Sequence, residues 1–204
     1  MSGAAPSPAG SVRAALDVYL AANGFDVAAY DAPTYEVDMG EVTGDVWTFP
    51  NTRARRRAVR FHDLHHVATG YGTDVLGEAE IGAWEIVAGC NSLFLWWIDL
   101  SAVALGLLLA PGRTLSALRR GWGQRTLYGG SIPYSAALDL TVGELRAHLG
   151  IPPDGQADHA PRGHRRAPGP STVPGFSLAR PVRQGIRVIS RALNPLLGGV
   201  RMTG

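Results

Sequence analysis

One short stretch, His62-Asp63-Leu64-His65-His66, contains several metal-binding residue types at helical spacing. The neighbouring sequence has the composition of the core of a soluble protein. On a helix, at about 100° per residue, His62 and His66 lie one turn apart on one face, with Asp63 at the edge of that arc. Such a set can hold a divalent ion if a following segment supplies a fourth ligand. The spacing therefore predicts a helix here and a second helix packed against it. Helical geometry alone does not choose between Asp63 and His65, and a hydrogen-bonded histidine cluster without a metal is the alternative.

The second helix is expected to begin near Leu76 and to present two carboxylates on one face. Glu78, Gly82, Glu85 and Gly89 follow one another at intervals of four, three and four residues, which makes a single stripe. The glycines would let a neighbouring helix approach closely or leave room for a flat ring. We predict that Glu78 is the fourth ligand. Glu85 is predicted to orient a histidine or to act as a general base, and a solvated Glu85 is the alternative.

The wider pattern resembles the signature of a known family. His62 and Asp63, then His66, then eleven residues and Glu78 form a motif similar to that of the ubiquinone-biosynthesis family usually called coenzyme-Q protein four. The resemblance covers roughly residues 50 to 152. The residues around the motif agree with it: Gly70, Thr73, Leu76, Gly77, Glu85 and the segment 145–151.

The resemblance implies a mainly helical, membrane-associated protein that binds a metal, commonly described as zinc, near an isoprenoid tail. It carries the ligand set over to His62, Asp63, His66 and Glu78, and we take Glu85 and Asp63 as candidate catalytic residues. A set of nitrogen and oxygen donors without sulfur suits an exchangeable Lewis-acidic ion, so manganese, iron and magnesium are also compatible.

The implied activity is metal-dependent oxidative decarboxylation at carbon 1 of a prenylated aromatic quinone precursor. The metal would polarise a ring carboxylate or phenolate oxygen, and dioxygen or a partner enzyme would supply the oxidant. The alternative is a non-enzymatic scaffold that binds prenyl lipid and organises a quinone-biosynthesis complex around a structural metal. A metal-dependent phosphohydrolase is disfavoured because it needs further histidine ligands, and His62 is the first histidine of the chain.

The body, residues 1 to 152, is predicted to be a mainly α, compact helical bundle, because sustained period-two alternation is almost absent. Ser11 is expected to cap a first helix that Gly24 ends, and a capping box is expected at Thr141 and Glu144. A short hairpin at 34–37 and 46–49 is as plausible as a loop there.

One apolar segment, from Leu93 to Ala110, approaches the length of a membrane span. Asp99 falls near its centre, where a charge in lipid would cost on the order of 2.5–3.5 kcal/mol. We favour a long buried helix that lines a hydrophobic groove, and a core helix without a ligand is the rival interpretation.

Charge is divided between the body and the tail. Seventeen acidic residues oppose eleven arginines up to residue 158, a formal charge of −6, whereas eight arginines give the remaining residues +8. Residues 153–180 have the composition of a disordered linker. Residues 181–204 are predicted to form a basic amphipathic helix that binds an anionic membrane surface, and docking onto the acidic body is the alternative.

The remaining expectations concern location and partners. Cys90 is the only cysteine, so no disulfide framework or thiolate cage is expected, and no signal peptide is evident. The chain is expected at the cytoplasmic face of the inner membrane as a peripheral protein. Expected partners are the prenylated precursor, the membrane surface, other quinone-biosynthesis proteins and a second copy in a homodimer, but no nucleic acid.

Overall fold

The computed structural model describes residues 6–38, 46–91 and 93–157, and these residues are mainly helical, as predicted. They form two compact units, one of residues 6–25 and 57–157 and one of residues 26–38 and 46–56. The predicted amphipathic helix of 181–204, and all of the predicted linker beyond residue 157, lie outside the described residues. The described elements, in chain order, are α1 (Val12–Asn23), β1 (Thr34–Asp38), β2 (Val46–Pro50), α2 (Arg53–Thr69), α3 (Val75–Gly89), α4 (Leu93–Leu109), α5 (Pro111–Gly121), α6 (Tyr134–Leu138) and α7 (Val142–Leu149), with 3₁₀ turns at Val27–Tyr30 and Leu127–Gly129.

The smaller unit contains the hairpin. Its strands β1 and β2 are antiparallel, and Thr34 pairs with Pro50 at the open end. The side-chain amide of Asn51 donates hydrogen bonds to the carbonyls of Tyr30 and Ala32, which holds the end of β2 against the preceding loop. The hairpin alternative was therefore the correct one for these residues.

Helix α2 ends, and α3 begins, within a tight connection. Gly70 takes a left-handed conformation with φ of 81°, which ends α2 at low steric cost. Asp74 then caps α3 by accepting a hydrogen bond from the backbone N–H of Gly77 at 2.7 Å. The short turn makes α2 and α3 neighbours, so residues near the end of one helix lie close to residues near the start of the next.

Glycines set the close packing of α3 against α4. A Cβ atom on Gly82 would lie only 3.3 Å from the backbone of Asp99, and a Cβ on Gly106 would overlap the side chains of Ala79 and Thr114. The expectation that Gly82 lets a neighbouring helix approach is thus confirmed. Between α5 and α3, Arg113 donates two hydrogen bonds to the buried carboxylate of Glu80, at 3.1 and 2.6 Å.

The prediction of a long buried helix is wrong, because the apolar segment forms α4, which has 17 residues, is no longer than α2 and exposes several large apolar side chains. Helix α4 stops because Pro111 begins a new helix, α5. Among the described residues, no helix combines the length and apolar character that a membrane crossing requires. One side of α4 is nevertheless exposed and apolar, and we call it the α4 stripe: Trp96, Leu100, Leu107 and Leu108.

Helix α7 carries an arginine that contacts several distant segments of the larger unit. The capping box of Thr141 and Glu144 is present as predicted. The fully buried Arg146 donates to the carbonyl of Ala68 at the end of α2, and also to the carbonyls of Pro6 and Pro153. One guanidinium thus ties α2 to both ends of the described chain.

Candidate metal centre

Three side chains from α2 and α3 bring ligand atoms together. The Nε2 atoms of His62 and His66 are 3.1 Å apart, and each lies 3.4 Å from a different oxygen of the Glu78 carboxylate, Oε2 for His62 and Oε1 for His66. His62, His66 and Glu78 form a group that could hold a metal ion. In a tetrahedral site with metal–ligand distances of about 2.0–2.2 Å, neighbouring donor atoms are separated by about 3.3–3.5 Å. The separations between the two nitrogens and the carboxylate oxygens are therefore close to those of a metal site, with one oxygen of Glu78 near each imidazole.

The tautomers of the two histidines are set by what their other nitrogens contact. The Nδ1 atom of His66 lies 3.1 Å from the carbonyl of Tyr71, and that of His62 lies 3.0 Å from Oε1 of Glu85. Both partners only accept hydrogen bonds, so each Nδ1 carries the proton. In a neutral ring the lone pair then lies on Nε2.

Electron pairs of three donors consequently face one another. Two imidazole lone pairs and a carboxylate at these separations repel unless a cation lies between them, and either a proton or a metal ion can serve. Hydrogen bonding of the outer ring nitrogen to a carboxylate or carbonyl is the arrangement that fixes metal-ligating histidines. The donors and their supports thus fit a divalent ion.

Solvent can reach this group from one side. The side chain of His66 is fully buried, whereas those of His62 and Glu78 are 25% and 42% exposed. An ion held here would lie at the rim of the α2–α3 pair, where a further ligand can approach.

Glu85 is a buried carboxylate that connects His62 to two other side chains. One buried oxygen, Oε1, accepts hydrogen bonds from Nδ1 of His62 at 3.0 Å, from Nδ1 of His65 at 2.6 Å and from the hydroxyl of Tyr128 at 2.9 Å. Burial raises the pKa of this carboxyl, but the two histidines outweigh burial and hold the pKa well below its ordinary value. Glu85 is therefore an ionised acceptor that orients His62, the first of the two roles predicted for it.

His65 extends this network to a distant turn. Its Nε2 accepts a hydrogen bond from the backbone N–H of Leu127 at 2.9 Å, while its Nδ1 donates to Glu85. Complete burial lowers the pKa of His65, so the ring stays neutral. The 3₁₀ turn that contains Leu127 and Tyr128 is thereby connected to the candidate centre at two points.

The protonation of the donors themselves follows from their neighbours. Burial lowers the pKa of His62, but the charges of Glu85 and Glu78 prevail and raise it well above its ordinary value. Burial raises the pKa of Glu78, and hydrogen bonding to His62 and His66 reverses this and lowers the pKa to about 2. In the metal-free protein a proton on His62 is thus the cation between the donors.

Asp63 lies apart from the three converging donors. Its carboxylate is buried and accepts a hydrogen bond from the hydroxyl of Tyr19 at 3.3 Å, and the Tyr19 ring stacks on His66 with centroids 5.5 Å apart. The predicted roles of Asp63 as a metal ligand and as a catalytic residue stay predictions. The structure gives it a contact that supports His66 through Tyr19.

Sequence reasoning missed two contributors, His65 and the Leu127–Tyr128 turn. For His65 a signal existed, since a third histidine in an apolar helix was in view and Glu85 was already predicted to orient a histidine. No comparable signal marked Tyr128, because 43 residues separate it from Glu85.

No family model, curated protein or solved structure matches this chain. The function is therefore inferred from the chemistry of the site.

Proposed function

We propose that the chain is a metal-dependent enzyme of ubiquinone biosynthesis that acts on a prenylated aromatic acid and removes the carboxyl group at ring carbon 1 oxidatively. The observation that carries the proposal is the group His62, His66 and Glu78, whose donor atoms lie close enough together that the group could hold one ion. The substrate and the reaction come from the resemblance of the motif to the coenzyme-Q protein four family.

The ligand set favours a reactive ion over a structural one. Structural zinc sites are mostly closed by four ligands, commonly thiolates, whereas catalytic zinc sites use three protein ligands and leave a position open. Two histidines and one glutamate correspond to the second type, and Cys90 is the only thiol in the chain. Zinc is the ion we propose, and two histidines with one carboxylate also suit ferrous iron.

When bound, the metal would supply Lewis acidity toward a carboxylate or phenolate oxygen of the substrate. The neighbouring residues of the chain would position the ligands and the substrate. Glu85 holds the ring of His62, the Tyr71 carbonyl holds that of His66, and the exposed edge of Glu78 leaves an approach for a ring from solvent. Removal of carbon dioxide with introduction of oxygen needs an oxidant, for which dioxygen or a partner enzyme is proposed.

The α4 stripe supports a lipid-like substrate and a peripheral place at the membrane. Its four large apolar side chains are exposed along one helix that packs directly on α3, which carries Glu78. Large exposed apolar patches commonly mark a lipid or partner contact. The proposed location is the cytoplasmic face of the inner membrane.

Metal analysis tests the proposal first. The full chain, purified without chelator, should contain close to one equivalent of a divalent metal, and Glu78→Ala should lose most of it while remaining folded. Asp17→Ala, which removes an exposed carboxylate from α1, is the matched control and should keep the metal.

Turnover tests the second half of the proposal. Metal-loaded protein should release labelled carbon dioxide from a prenylated 4-hydroxybenzoate carrying the label in its carboxyl group, and Glu78→Ala should not. Metal binding without any release, together with loss of complex assembly in Glu78→Ala, would favour the scaffold instead.

A further inference from the structure

The turn between α4 and α5 is exposed and apolar. Residues 102–112 contain no polar side chain, and at the end of α4 the side chains of Leu107, Leu108 and Leu109 are 40, 79 and 42% exposed. The first two residues of α5 are exposed too. Turns at a protein surface are normally polar, because exposed apolar side chains are in unfavourable contact with water. Three adjacent exposed leucines at a turn therefore indicate a contact with something apolar outside the chain.

The exposed apolar surface continues along one side of α5. Leu115, Arg119 and Trp122, which directly follows the helix, recur at intervals of four and three residues and are all exposed. The opposite side of α5 is packed, since Thr114 and Gly121 are buried. The exposed leucines at the turn and the apolar residues of this side form what we call the α4–α5 surface: Leu107, Leu108, Leu109, Leu115 and Trp122.

The inner sides of α4 and α5 hold the turn on α3. A Cβ atom on Gly106 would overlap the side chains of Ala79 in α3 and Thr114 in α5. A Cβ atom on Gly121, at the other end of α5, would lie 2.8 Å from the carbonyl oxygen of Trp84 in α3. The two helices are therefore closely packed on α3, and the exposed leucines project from a well-packed base.

The charges around the α4–α5 surface are all positive. Residues 100–138 contain no aspartate or glutamate but four arginines. Two of these, Arg119 and Arg125, are exposed, and they lie on either side of Trp122 in the sequence. Arginine is attracted to anionic lipid headgroups, and tryptophan is enriched at the same depth of a bilayer. The surface is thus complementary in both charge and polarity to an anionic bilayer.

Two other occupants fit the charges less well. The part of this chain beyond residue 158 carries eight arginines and no acidic residue, so its charge has the same sign as that of Arg119 and Arg125. In a symmetric dimer through this surface, the same arginines of two copies would come close together. An anionic bilayer offers an apolar interior and opposite charge at once.

We propose that the α4–α5 surface binds an anionic lipid bilayer, with the leucines of the turn among the acyl chains and Arg119 and Trp122 among the headgroups. The inference rests on the membrane location in the proposed function, and it adds the surface that makes the contact and the lipid chemistry that the surface selects. It does not depend on the metal, because none of these residues belongs to the candidate metal centre.

Flotation of the full chain with lipid vesicles tests the proposal. One set of vesicles is phosphatidylcholine alone, and the other is phosphatidylcholine mixed with phosphatidylglycerol. Because the C-terminal segment is also predicted to bind anionic membranes, each variant is made both in the natural chain and in a chain with Arg183→Gln, Arg187→Gln and Arg191→Gln. Metal content, the denaturation midpoint and the oligomeric state without vesicles are measured on the same samples.

The chain with the tail substitutions should still bind the mixed vesicles. In that chain Leu108→Ser should weaken binding about ten-fold, because a large apolar side chain no longer enters the bilayer. Val18→Ser, at a side chain of α1 that is 69% exposed, is the matched control and should leave binding unchanged. Arg119→Gln should weaken binding to the mixed vesicles about five-fold and have little effect on phosphatidylcholine alone. Each variant should stay folded, since the replaced side chains are exposed.

Equal binding by folded Leu108→Ser and Val18→Ser would overturn the proposal, and so would equal binding of the unsubstituted chain to the two kinds of vesicle. A dimer that forms without vesicles and is lost in Leu108→Ser would assign the surface to a second copy of the chain instead. A natural chain that carries the metal but binds neither kind of vesicle would contradict the membrane location in the proposed function and leave its metal centre standing. Vesicle binding that is insensitive to Leu108→Ser concerns only the α4–α5 surface.

Discussion

The Nε2 atoms of His62 and His66 face each other at 3.1 Å, and the outer nitrogen of each ring is already committed to an acceptor. The two rings therefore have no neutral arrangement in which one Nε2 donates to the other without breaking an existing contact. A proton or a metal ion bound between the two rings therefore stabilises this arrangement.

Metal should stabilise the folded chain. Because the three donors converge only in the folded state, a divalent ion at a hundred times its dissociation constant should add about 2.7 kcal/mol to the free energy of unfolding. Thermal melts with and without zinc measure this gain. His62→Ala should abolish it, whereas His148→Ala, at the exposed contact with Ser131, should retain it. An equal gain in both variants would contradict the assigned ligands.

Glu85→Gln should weaken metal binding by about ten-fold to a hundred-fold without removing a ligand, because loss of an outer hydrogen-bonded carboxylate usually has an effect of this size. The neutral amide of Gln accepts a weaker hydrogen bond from His62, and so it holds the imidazole ring less firmly. It also no longer stabilises the protonated form of His62. Isothermal titration with zinc gives the affinity. An unchanged dissociation constant would show that Glu85 does not position His62.

Metal affinity should rise with pH. The pKa of His62 is raised well above its ordinary value, since the charges of Glu85 and Glu78 outweigh burial, so metal must displace a proton from this ring. Below that pKa the apparent affinity should increase about ten-fold per pH unit, and it should level off above it. Competition with a chromophoric chelator at several pH values provides the measurement. A flat profile from pH 6 upward would contradict the protonated state.

Asp99 should make the metal-free protein less stable as pH rises from about 4 to about 8. Its pKa is raised from an ordinary value of 3.8 to about 8, chiefly by burial, so in this window the folded state keeps a proton that the unfolded state has lost. The free energy of unfolding therefore falls with pH, by at most about 1.4 kcal/mol per unit from this group, and the contribution is fully present only below the unfolded pKa.

Asp99→Asn isolates that contribution, because the amide does not titrate. Urea denaturation in the presence of chelator should give a smaller decline in stability between pH 4 and pH 8 for the variant than for wild type. Parallel curves for the two proteins would mean that Asp99 is ionised in the folded state.

Local spacing was enough to predict the two helices that carry the candidate ligands. His62 and His66 are one turn apart on any α-helix. Because the connection after Gly70 is short, α3 is expected to lie beside α2. The assignment of Glu78 and the orienting role of Glu85 follow from the same periodicity. Asp63 shows the limit of the approach, since a position at the edge of the arc can turn toward Tyr19 as readily as toward an ion.

Contacts between elements distant in sequence could not be predicted in this way. The hydrogen bonds from Tyr128 to Glu85 and from the Leu127 amide to His65 depend on how the 3₁₀ turn packs after α5. Asp99 stood out as a charge in an apolar segment, but its position opposite Gly82 depends on the register between α3 and α4. Such register is decided by side-chain packing along the whole interface.

Helix α4 has a buried polar side and an exposed apolar side. A helix of 17 residues moves largely as a stiff rod, and this one carries Asp99 on its inner side and Trp96 and Leu108 on its outer side. A partner that binds the exposed side of α4 and tilts the helix would therefore also move the carboxyl group of Asp99. The close packing of Asp99 against Gly82 transmits such a movement to α3.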